Sequence, residues 1–185
     1  AGHHGFDGVN ADIDPFMRER LRVSLREGGI AHDIVAAAFG DDSIDDFLLL
    51  ADRAAALAAF IDTETGAGLM AGWRRAASIL KSEESKDKQV FSPKTDPSLF
   101  SNDAEAKLFD TTKDLADGAA ATAQEPEDLM ALMQSLGELR VPIDQFFDQV
   151  VVNDDNPRVR ENRLGLLALV RAKMLGVADF SKLEG

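Results

Sequence analysis

The sequence predicts an all-α protein, built as a helical bundle of seven or eight helices. Apolar residues recur at intervals of three and four through most of the chain, which is the period of an amphipathic helix. Capping residues, prolines and glycines stand at the ends of these periodic segments. The apolar runs VFS and QVVVN are too short to compete as strands, and the short connections between helices favour a bundle.

Four helices are predicted in the first half of the chain. Asp14 is expected to cap a helix that begins at Pro15, because proline fits the first helical position. Ser43 is expected to cap the third helix, whose first turn carries carboxylates that suit the positive end of the helix dipole. The predicted ranges are about 15–27, 32–39, 43–62 and 66–84.

The second half begins with a polar stretch, SEESKDKQVFSPKTDPS, which its two prolines and its lack of periodicity predict to be a loop. Four more helices are predicted after this loop. They are a fifth at 103–122 interrupted near Gly118, a sixth at 126–137, a seventh that carries Ile143 to Val150, and an eighth that Asn156 caps and Pro157 begins.

The length of 185 residues fits one domain with a core of its own. We expect residues 1–12 to be a flexible leader and residues 13–185 to be a single helical domain. Within that domain, the helices before about residue 66 are expected to lead into the core bundle.

The composition excludes several classes of protein. No cysteine is present, which excludes disulfides, thiolate metal sites and a cysteine nucleophile, and fits a reducing cytoplasm. No apolar run approaches the ~18 residues of a membrane span. The N-terminal residues also lack the basic region and apolar stretch of a signal peptide. We therefore expect a cytoplasmic protein with no membrane partner.

Catalytic motifs are missing from the sequence. Neither the phosphate loop G-x-x-x-x-G-K-[ST] nor the dinucleotide fingerprint G-x-G-x-x-G occurs. His32 and Asp33 form an HD dipeptide, which leaves open a metal-dependent phosphohydrolase; the alternative is that they simply begin a helix. We predict no catalytic residue and no metal site, and the paired carboxylates that precede helices are interpreted as caps.

The charge of the chain is strongly negative but unevenly distributed. The formal net charge of −13 argues by itself against nucleic acid, because affinity for phosphate depends on lysine and arginine. Residues 101–128 contain eight acidic and two basic side chains, whereas residues 157–185 contain six basic and three acidic ones. A phosphate responds to the local field, so basic segments stay candidates for RNA binding.

The fourth helix divides into an apolar face and a polar face. Leu69, Trp73, Ala76, Ala77 and Leu80 share one direction at 100° per residue. The other side carries cations and hydroxyls, which suit an RNA backbone, although a solvated helix face is the alternative from spacing alone. The RNA-binding candidates on this helix are Arg74, Arg75, Ser78 and Lys81.

The eighth helix places Arg163 in the middle of its apolar face. A buried arginine needs a partner, so we predict a structural role for Arg163, paired with Asp144 or Asp148. The RNA-binding candidates on this helix are Arg158, Asn162 and Lys173. The aromatic residues on apolar faces, which are predicted to be core, are Trp73, Phe146 and Phe147.

Three long segments resemble the end of the bacterial glycyl-tRNA synthetase beta subunit, whose helical, DALR-type anticodon-binding domain also occurs in arginyl-tRNA synthetase. FMRERLRVSLREGGIAHDIVAA is similar to the segment leading into that domain, and LLLADRAAALAAFIDTETGAGLMAGWRRAASILKSEE to its next two helices. VPIDQFFDQVVVNDDNPRVRENRLGLLALVRAKMLGVADFSKLE is similar to the end of the subunit. Arg160, Asn162, Arg163 and Leu164 match the R-x-N-R-L pattern of the family, whereas Ser78 stands where the family often has Asn.

The resemblance implies a tRNA-recognition module of a class II glycine–tRNA ligase, which binds the anticodon stem-loop of tRNA-Gly. It also implies a non-catalytic part of the beta subunit, with the activation site on the alpha subunit. The expected partners are tRNA-Gly, the alpha subunit and the remaining beta-subunit domains. ATP and Mg are expected to serve the full enzyme, with no cofactor in this chain. A helical module that docks on the synthetase, with little direct RNA contact, is the open alternative.

Overall fold

The structure, a computed structural model, describes residues 7–40, 46–115 and 125–183. Within these ranges the chain forms eight α-helices, two short 3-10 helices and no β-strand, which confirms the predicted all-α fold. The α-helices are α1 Asp7–Glu27, α2 His32–Ala38, α3 Phe47–Ile61, α4 Glu64–Asp87, α5 Asp103–Asp114, α6 Pro126–Gly137, α7 Arg140–Gln149 and α8 Pro157–Leu175. The 3-10 helices span Pro97–Leu99 and Phe180–Lys182.

The central helix of the bundle is α4, which packs against α3, α6, α7 and α8. Helix α3 also packs against α6, α5 packs against α7 and α8, and α1 and α2 pack against α3. One cluster of buried apolar side chains connects these helices. The two helices with predicted RNA-binding residues, α4 and α8, are therefore direct neighbours.

Aromatic side chains fill the centre of this core. The Trp73 ring of α4 lies 6.0 Å from the Phe180 ring, measured between centroids. The Phe146 and Phe147 rings of α7 lie 5.4 Å apart in an edge-to-face arrangement, which favours the attraction between aromatic rings. Trp73, Phe146 and Phe147 are all buried, so their bulk is used in packing.

The first helix is longer than the sequence predicted. It begins at Asp7, so Asp14 and Pro15 lie inside it and not at its start. Proline fits the first helical position best; further inside, it removes one backbone hydrogen bond and its ring crowds the carbonyl four residues earlier, which costs stability. The sequence pattern does not distinguish these two placements.

The third and fourth helices begin at other residues than those predicted. Asp46 caps α3, because its carboxylate accepts hydrogen bonds from the backbone N–H groups of Leu48 and Leu49 at 2.9 and 3.1 Å. The predicted cap, Ser43, lies outside the described residues. Thr63 caps α4, and its hydroxyl accepts from the N–H of Gly66 at 2.9 Å.

Two helices end at other residues than predicted. Helix α4 continues to Asp87, three residues beyond the prediction, and Lys88 closes it with a left-handed backbone (φ 53°). Helix α5 ends at Asp114, well short of 122, and Leu115 follows in an extended conformation. The predicted interruption near Gly118 lies outside the described residues.

The loop between α4 and α5 is held against α8. The side-chain amide of Asn162 binds the backbone of Asp96 twice, accepting from its N–H at 2.7 Å and donating to its carbonyl at 3.1 Å. Gly165 lies under the same loop, where a β-carbon would come within 2.2 Å of the Lys94 carbonyl oxygen. Glycine therefore allows the close approach of loop and helix.

A buried arginine joins α8 to α5 and to the turn between α7 and α8. The Nε of Arg163 donates to Glu105 at 2.9 Å, and its Nη1 donates to the Val151 carbonyl at 2.8 Å and to Asp154 at 2.7 Å. Its Nη2 donates to the Ser101 hydroxyl at 2.8 Å. Arg163 is 6 % exposed and Glu105 is 0 % exposed, so both charges are removed from water and depend on these bonds.

The partners predicted for Arg163 were wrong. The arginine pairs with Glu105 and Asp154, and not with Asp144 or Asp148, which are exposed. The second oxygen of Glu105 caps α5 by accepting from the Ser101 and Asn102 N–H groups. The main partner, Glu105, lies on α5 and is distant in sequence. The spacing of residues within α7 and α8 therefore could not identify it.

Removing the buried arginine should destabilise the fold strongly. We expect Arg163→Met to lower the free energy of unfolding by about 3–5 kcal/mol, because Glu105 would keep a buried charge without its partner. Urea denaturation followed by circular dichroism measures this. The matched control is Arg158→Met on the exposed side of α8, with an expected change within about 0.5 kcal/mol. Equal, small losses for both variants would contradict the structural role of Arg163.

Candidate nucleic-acid interface

One side of α4 lies in the core and the other is open to solvent. Leu69, Trp73 and Leu80 are buried. The exposed side chains on the other side are Arg74, Arg75, Ser78, Lys81 and Ser82. The structure thus places all four RNA-binding candidates of this helix on one accessible surface, which carries cations and hydroxyls together.

The guanidinium of Arg75 lies over an aromatic ring. Its central carbon is 4.3 Å from the centroid of the Phe147 ring on α7. A planar cation at this distance is attracted by the ring electrons, and the contact restrains the arginine. Phe147 is 9 % exposed, so the ring that carries the guanidinium is itself held in the core.

A groove of about 530 Å³ lies beside this arginine. We call it the α4 groove. On one side it is lined by α4, and on the other by the turn that connects α7 to α8, residues 150–153. Its lining residues are Arg75, Ser78, Ile79, Ser82, Glu83, Phe147, Val150, Val151, Val152 and Asn153. Cationic, hydroxyl and apolar groups therefore share one concave surface.

The far wall of the groove was missed by the sequence reasoning. QVVVN is only a short apolar run between two predicted helices. In the structure Val150 and Val152 are buried, whereas Val151 is 72 % exposed. Three consecutive valines in a connection, where polar residues are usual, are the signal that could have indicated a wall of this kind.

The basic residues of α8 are largely engaged inside the protein. Arg160 donates to Asp87 at 2.8 Å and to Glu83 at 2.7 Å. Arg171 forms a two-pronged ion pair with Glu84 at 2.8 and 3.1 Å. With Arg163 buried as well, the basic balance of residues 157–185 is mostly used to attach α8 to α4 and α5.

The three RNA-binding candidates on α8 differ in their surroundings. Arg158 is exposed and lines a second cavity of about 310 Å³ with Lys94 and Asp96. Asn162 is buried, and both atoms of its amide bind the Asp96 backbone. Lys173 donates to the Leu115 carbonyl at 2.6 Å, just beyond the end of α5. Their contact with RNA stays a prediction, and Arg158 is the most accessible of the three.

The groups expected for other classes of function are not assembled in the described ranges. Within residues 7–40, 46–115 and 125–183, no three His, Asp or Glu side chains are close enough to hold a metal ion. His32 is exposed at the first position of α2. No helix in the same ranges has the length and apolar character to cross a membrane.

The floor of the α4 groove contains a carboxylate that stays ionised to low pH. Hydrogen bonds from Lys86 and from Arg160 lower the pKa of Glu83 from 4.5 to about 2, against burial, which raises it. The Lys86 contact is 2.5 Å and the Arg160 contact is 2.7 Å. The negative charge of Glu83 is thus balanced within the protein and does not oppose an anion at the groove.

Acid should destabilise the protein partly through Glu83. The unfolded chain takes up a proton near pH 4.5 and the folded one near pH 2, so this contribution is complete above about pH 5 and is lost as the pH falls toward 2. We expect Glu83→Gln to flatten the pH dependence of the free energy of unfolding between pH 4.5 and 2, measured by urea denaturation. Lys86→Gln should move the loss to higher pH. A Glu83→Gln variant with the parental pH dependence would contradict this account.

Comparison with known proteins identifies relatives of the whole chain. The family described as "DALR anticodon binding domain" matches residues 69–182, which include most of α4, all of α8 and the α4 groove. The chain is 41 % identical over 180 residues to "Glycine--tRNA ligase beta subunit" of Cereibacter sphaeroides (strain ATCC 17023), covering 97 % of this chain and 26 % of the relative. It is 42 % identical over 183 residues to the protein of the same name from Ruegeria sp. (strain TM1040), covering 99 % of this chain and 26 % of the relative. The chain therefore spans about a quarter of the length of these relatives.

Proposed function

The chain belongs to the family of DALR anticodon binding domains, and from this premise we propose that it binds the anticodon stem-loop of tRNA-Gly through the exposed face of α4. The observation that carries the proposal is the grouping of Arg74, Arg75 and Lys81 with two serines beside a groove. RNA loops are bound by this combination, because cations contact phosphates while polar and planar groups contact unstacked bases.

The distribution of charge supports α4 as the surface that meets RNA. Lys81 is exposed, and no carboxylate within 4.0 Å is found for it in the described part of the chain. Acids of the same helix are turned toward α8, where Arg160 and Arg171 neutralise them. Positive charge on α4 therefore faces outward. The surplus of carboxylates elsewhere would repel RNA from the other surfaces and restrict the orientation of binding.

A larger assembly is part of the same proposal. The relatives are named as beta subunits of a glycine–tRNA ligase, and this chain corresponds to about a quarter of their length. We propose that it works in such a ligase as the non-catalytic module that orients the tRNA. The alpha subunit and the remaining beta-subunit domains would then be its partners, and ATP and Mg would bind outside this chain. A cytoplasmic location belongs to the same proposal.

Docking within the synthetase is the second candidate, and one observation favours it. Helix α1 exposes three large apolar side chains, with 61 % of Phe16, 43 % of Met17 and 38 % of Val23 accessible. Apolar side chains grouped on a surface helix are typical of a surface that another domain covers. Docking by α1 and RNA binding by α4 use different helices, so the two functions are compatible.

The affinity for the stem-loop should fall as the salt concentration rises. This fall should be less steep in a variant that lacks one cation of α4. We expect the logarithm of the affinity of the parent protein to fall linearly with the logarithm of the salt concentration. Lys81→Ala should weaken binding and reduce this slope by about 0.7–0.9, the value for one phosphate contact. Fluorescence anisotropy with a labelled anticodon stem-loop of glycine tRNA measures both quantities.

The matched control removes the same charge from α5. Lys107→Ala changes an exposed lysine on that helix and should leave affinity and slope unchanged. A parent protein that does not bind the stem-loop at low salt would overturn RNA recognition and leave docking as the function. Equal effects of the two substitutions would show that net charge, and not the α4 surface, drives binding.

A further inference from the structure

We propose that the α4 groove holds a single unstacked nucleobase, whose face stacks on the guanidinium of Arg75. This inference rests on the proposed function, because it names the group of the RNA that enters the site and the side chain that receives it. Five features of the groove lead to it: a restrained planar cation, the absence of an acidic partner for that cation, an apolar opposite wall, two accessible hydroxyls and a suitable volume.

The first feature is that Arg75 is held in place before any ligand arrives. Its guanidinium lies 4.3 Å from the Phe147 centroid, and Phe147 is in turn packed edge-to-face against the fully buried Phe146. Arg75 as a residue is exposed, so the side of the guanidinium that is turned away from Phe147 is accessible. A base placed there would complete a stack of base, guanidinium and ring, in which each member is planar.

The second feature is that the guanidinium is not used in an ion pair. In the ranges that the structure describes, no carboxylate lies within 4.0 Å of Arg75. Glu83 is the acid that lines the groove, and it is occupied by Lys86 and Arg160. This contrasts with Arg160, Arg163 and Arg171, each of which is engaged by acids of the protein. Arg75 is therefore an arginine that the fold restrains but does not neutralise.

The third and fourth features are the wall and the hydroxyls. Val151 places an exposed apolar side chain on the wall opposite α4, where it can cover part of a base. Ser78 and Ser82 are one helical turn apart on the groove side of α4, and neither hydroxyl has a hydrogen-bond partner in the described residues. A hydroxyl donates and accepts, as the edge of a base requires.

The fifth feature is size. The volume of about 530 Å³ lies within the range of about 300–1,000 Å³ that is typical of small-molecule sites. A groove of this volume accommodates one base with its sugar. Recognition of RNA by splayed-out loop bases stacked on aromatic or guanidinium planes has the same geometry. The groove thus fits an unpaired position of the loop.

The decisive variant replaces Arg75 by lysine, which keeps the positive charge and removes the planar guanidinium. We expect Arg75→Lys to weaken binding of the anticodon stem-loop by about 5- to 100-fold, the loss that corresponds to one base–side-chain stack. The slope of affinity against salt should stay at the parental value, because a lysine still contacts phosphate. The matched control, Lys107→Arg on α5, exchanges the same two residue types in the other direction away from the groove and should leave the affinity unchanged.

The base itself is located by changing the RNA. Stem-loops in which one loop nucleotide after another is abasic should include one position whose loss weakens the parent protein as much as Arg75→Lys does. That same RNA should lose little more with the Arg75→Lys variant, since both changes remove one contact. With 2-aminopurine at that position, the fluorescence should rise when the parent protein takes the base out of the loop stack, and it should rise less with Arg75→Lys.

The outcomes separate this inference from the function on which it rests. Parental affinity and a parental rise in fluorescence with Arg75→Lys, together with weaker binding by Lys81→Ala, would overturn the base site and leave stem-loop binding intact. A loss of affinity that is equal for every abasic position would also overturn it, because the contact would then be to the backbone. No binding of the stem-loop by the parent protein at low salt would overturn both proposals.

Discussion

The ion pair between Arg163 and Glu105 is the constraint on which the rest of the structure depends. Glu105 caps α5, Arg163 is buried in α8, and the same guanidinium donates to the Val151 carbonyl and to Asp154. One buried cation thus joins two helices and the turn between α7 and α8. That turn is the far wall of the α4 groove, and Asn153 in it is also within 3.3 Å of Arg160. The buried ion pair therefore helps to set the geometry of the groove, although neither of its residues lines the groove. Binding sites are commonly supported in this way by residues that do not contact the ligand.

The same pairing explains how an acidic protein presents a basic surface. The formal net charge is −13, and most arginines of α8 face acids of α4 and α5. In these ion pairs, each cation is neutralised by a carboxylate of the protein, so the pairs contribute little net charge to the surface. On the opposite side of α4, the residues Arg74, Arg75 and Lys81 are exposed. The sign of the total charge then says little about α4, because a polyanion responds to the field over the surface it approaches.

Phe147 connects packing to the proposed recognition. It is a core residue by burial, and its ring also carries the guanidinium of Arg75. A core aromatic residue can therefore contribute to a binding site without touching the ligand, by restraining the side chain that does. Preorganisation of this kind lowers the conformational entropy that binding would otherwise cost. In the proposed assignment of roles, exposed cations such as Lys81 attract the RNA, and the groove beside Arg75 holds one base.

The sequence alone determined the fold class, the order of the helices and the exposed basic face of α4, because each of these follows from apolar periodicity within one segment. It also indicated that Arg163 lies on the apolar face of its helix and therefore has a structural role. Only the tertiary structure decided which acid pairs with Arg163 and which backbone group the side-chain amide of Asn162 binds. It also decided that residues 150–153 line a groove beside Arg75. These contacts join residues that are far apart in the chain, such as Glu105 and Arg163. Helical periodicity describes the direction of a side chain on its own helix, and it carries no information about which side chain of another helix will lie opposite.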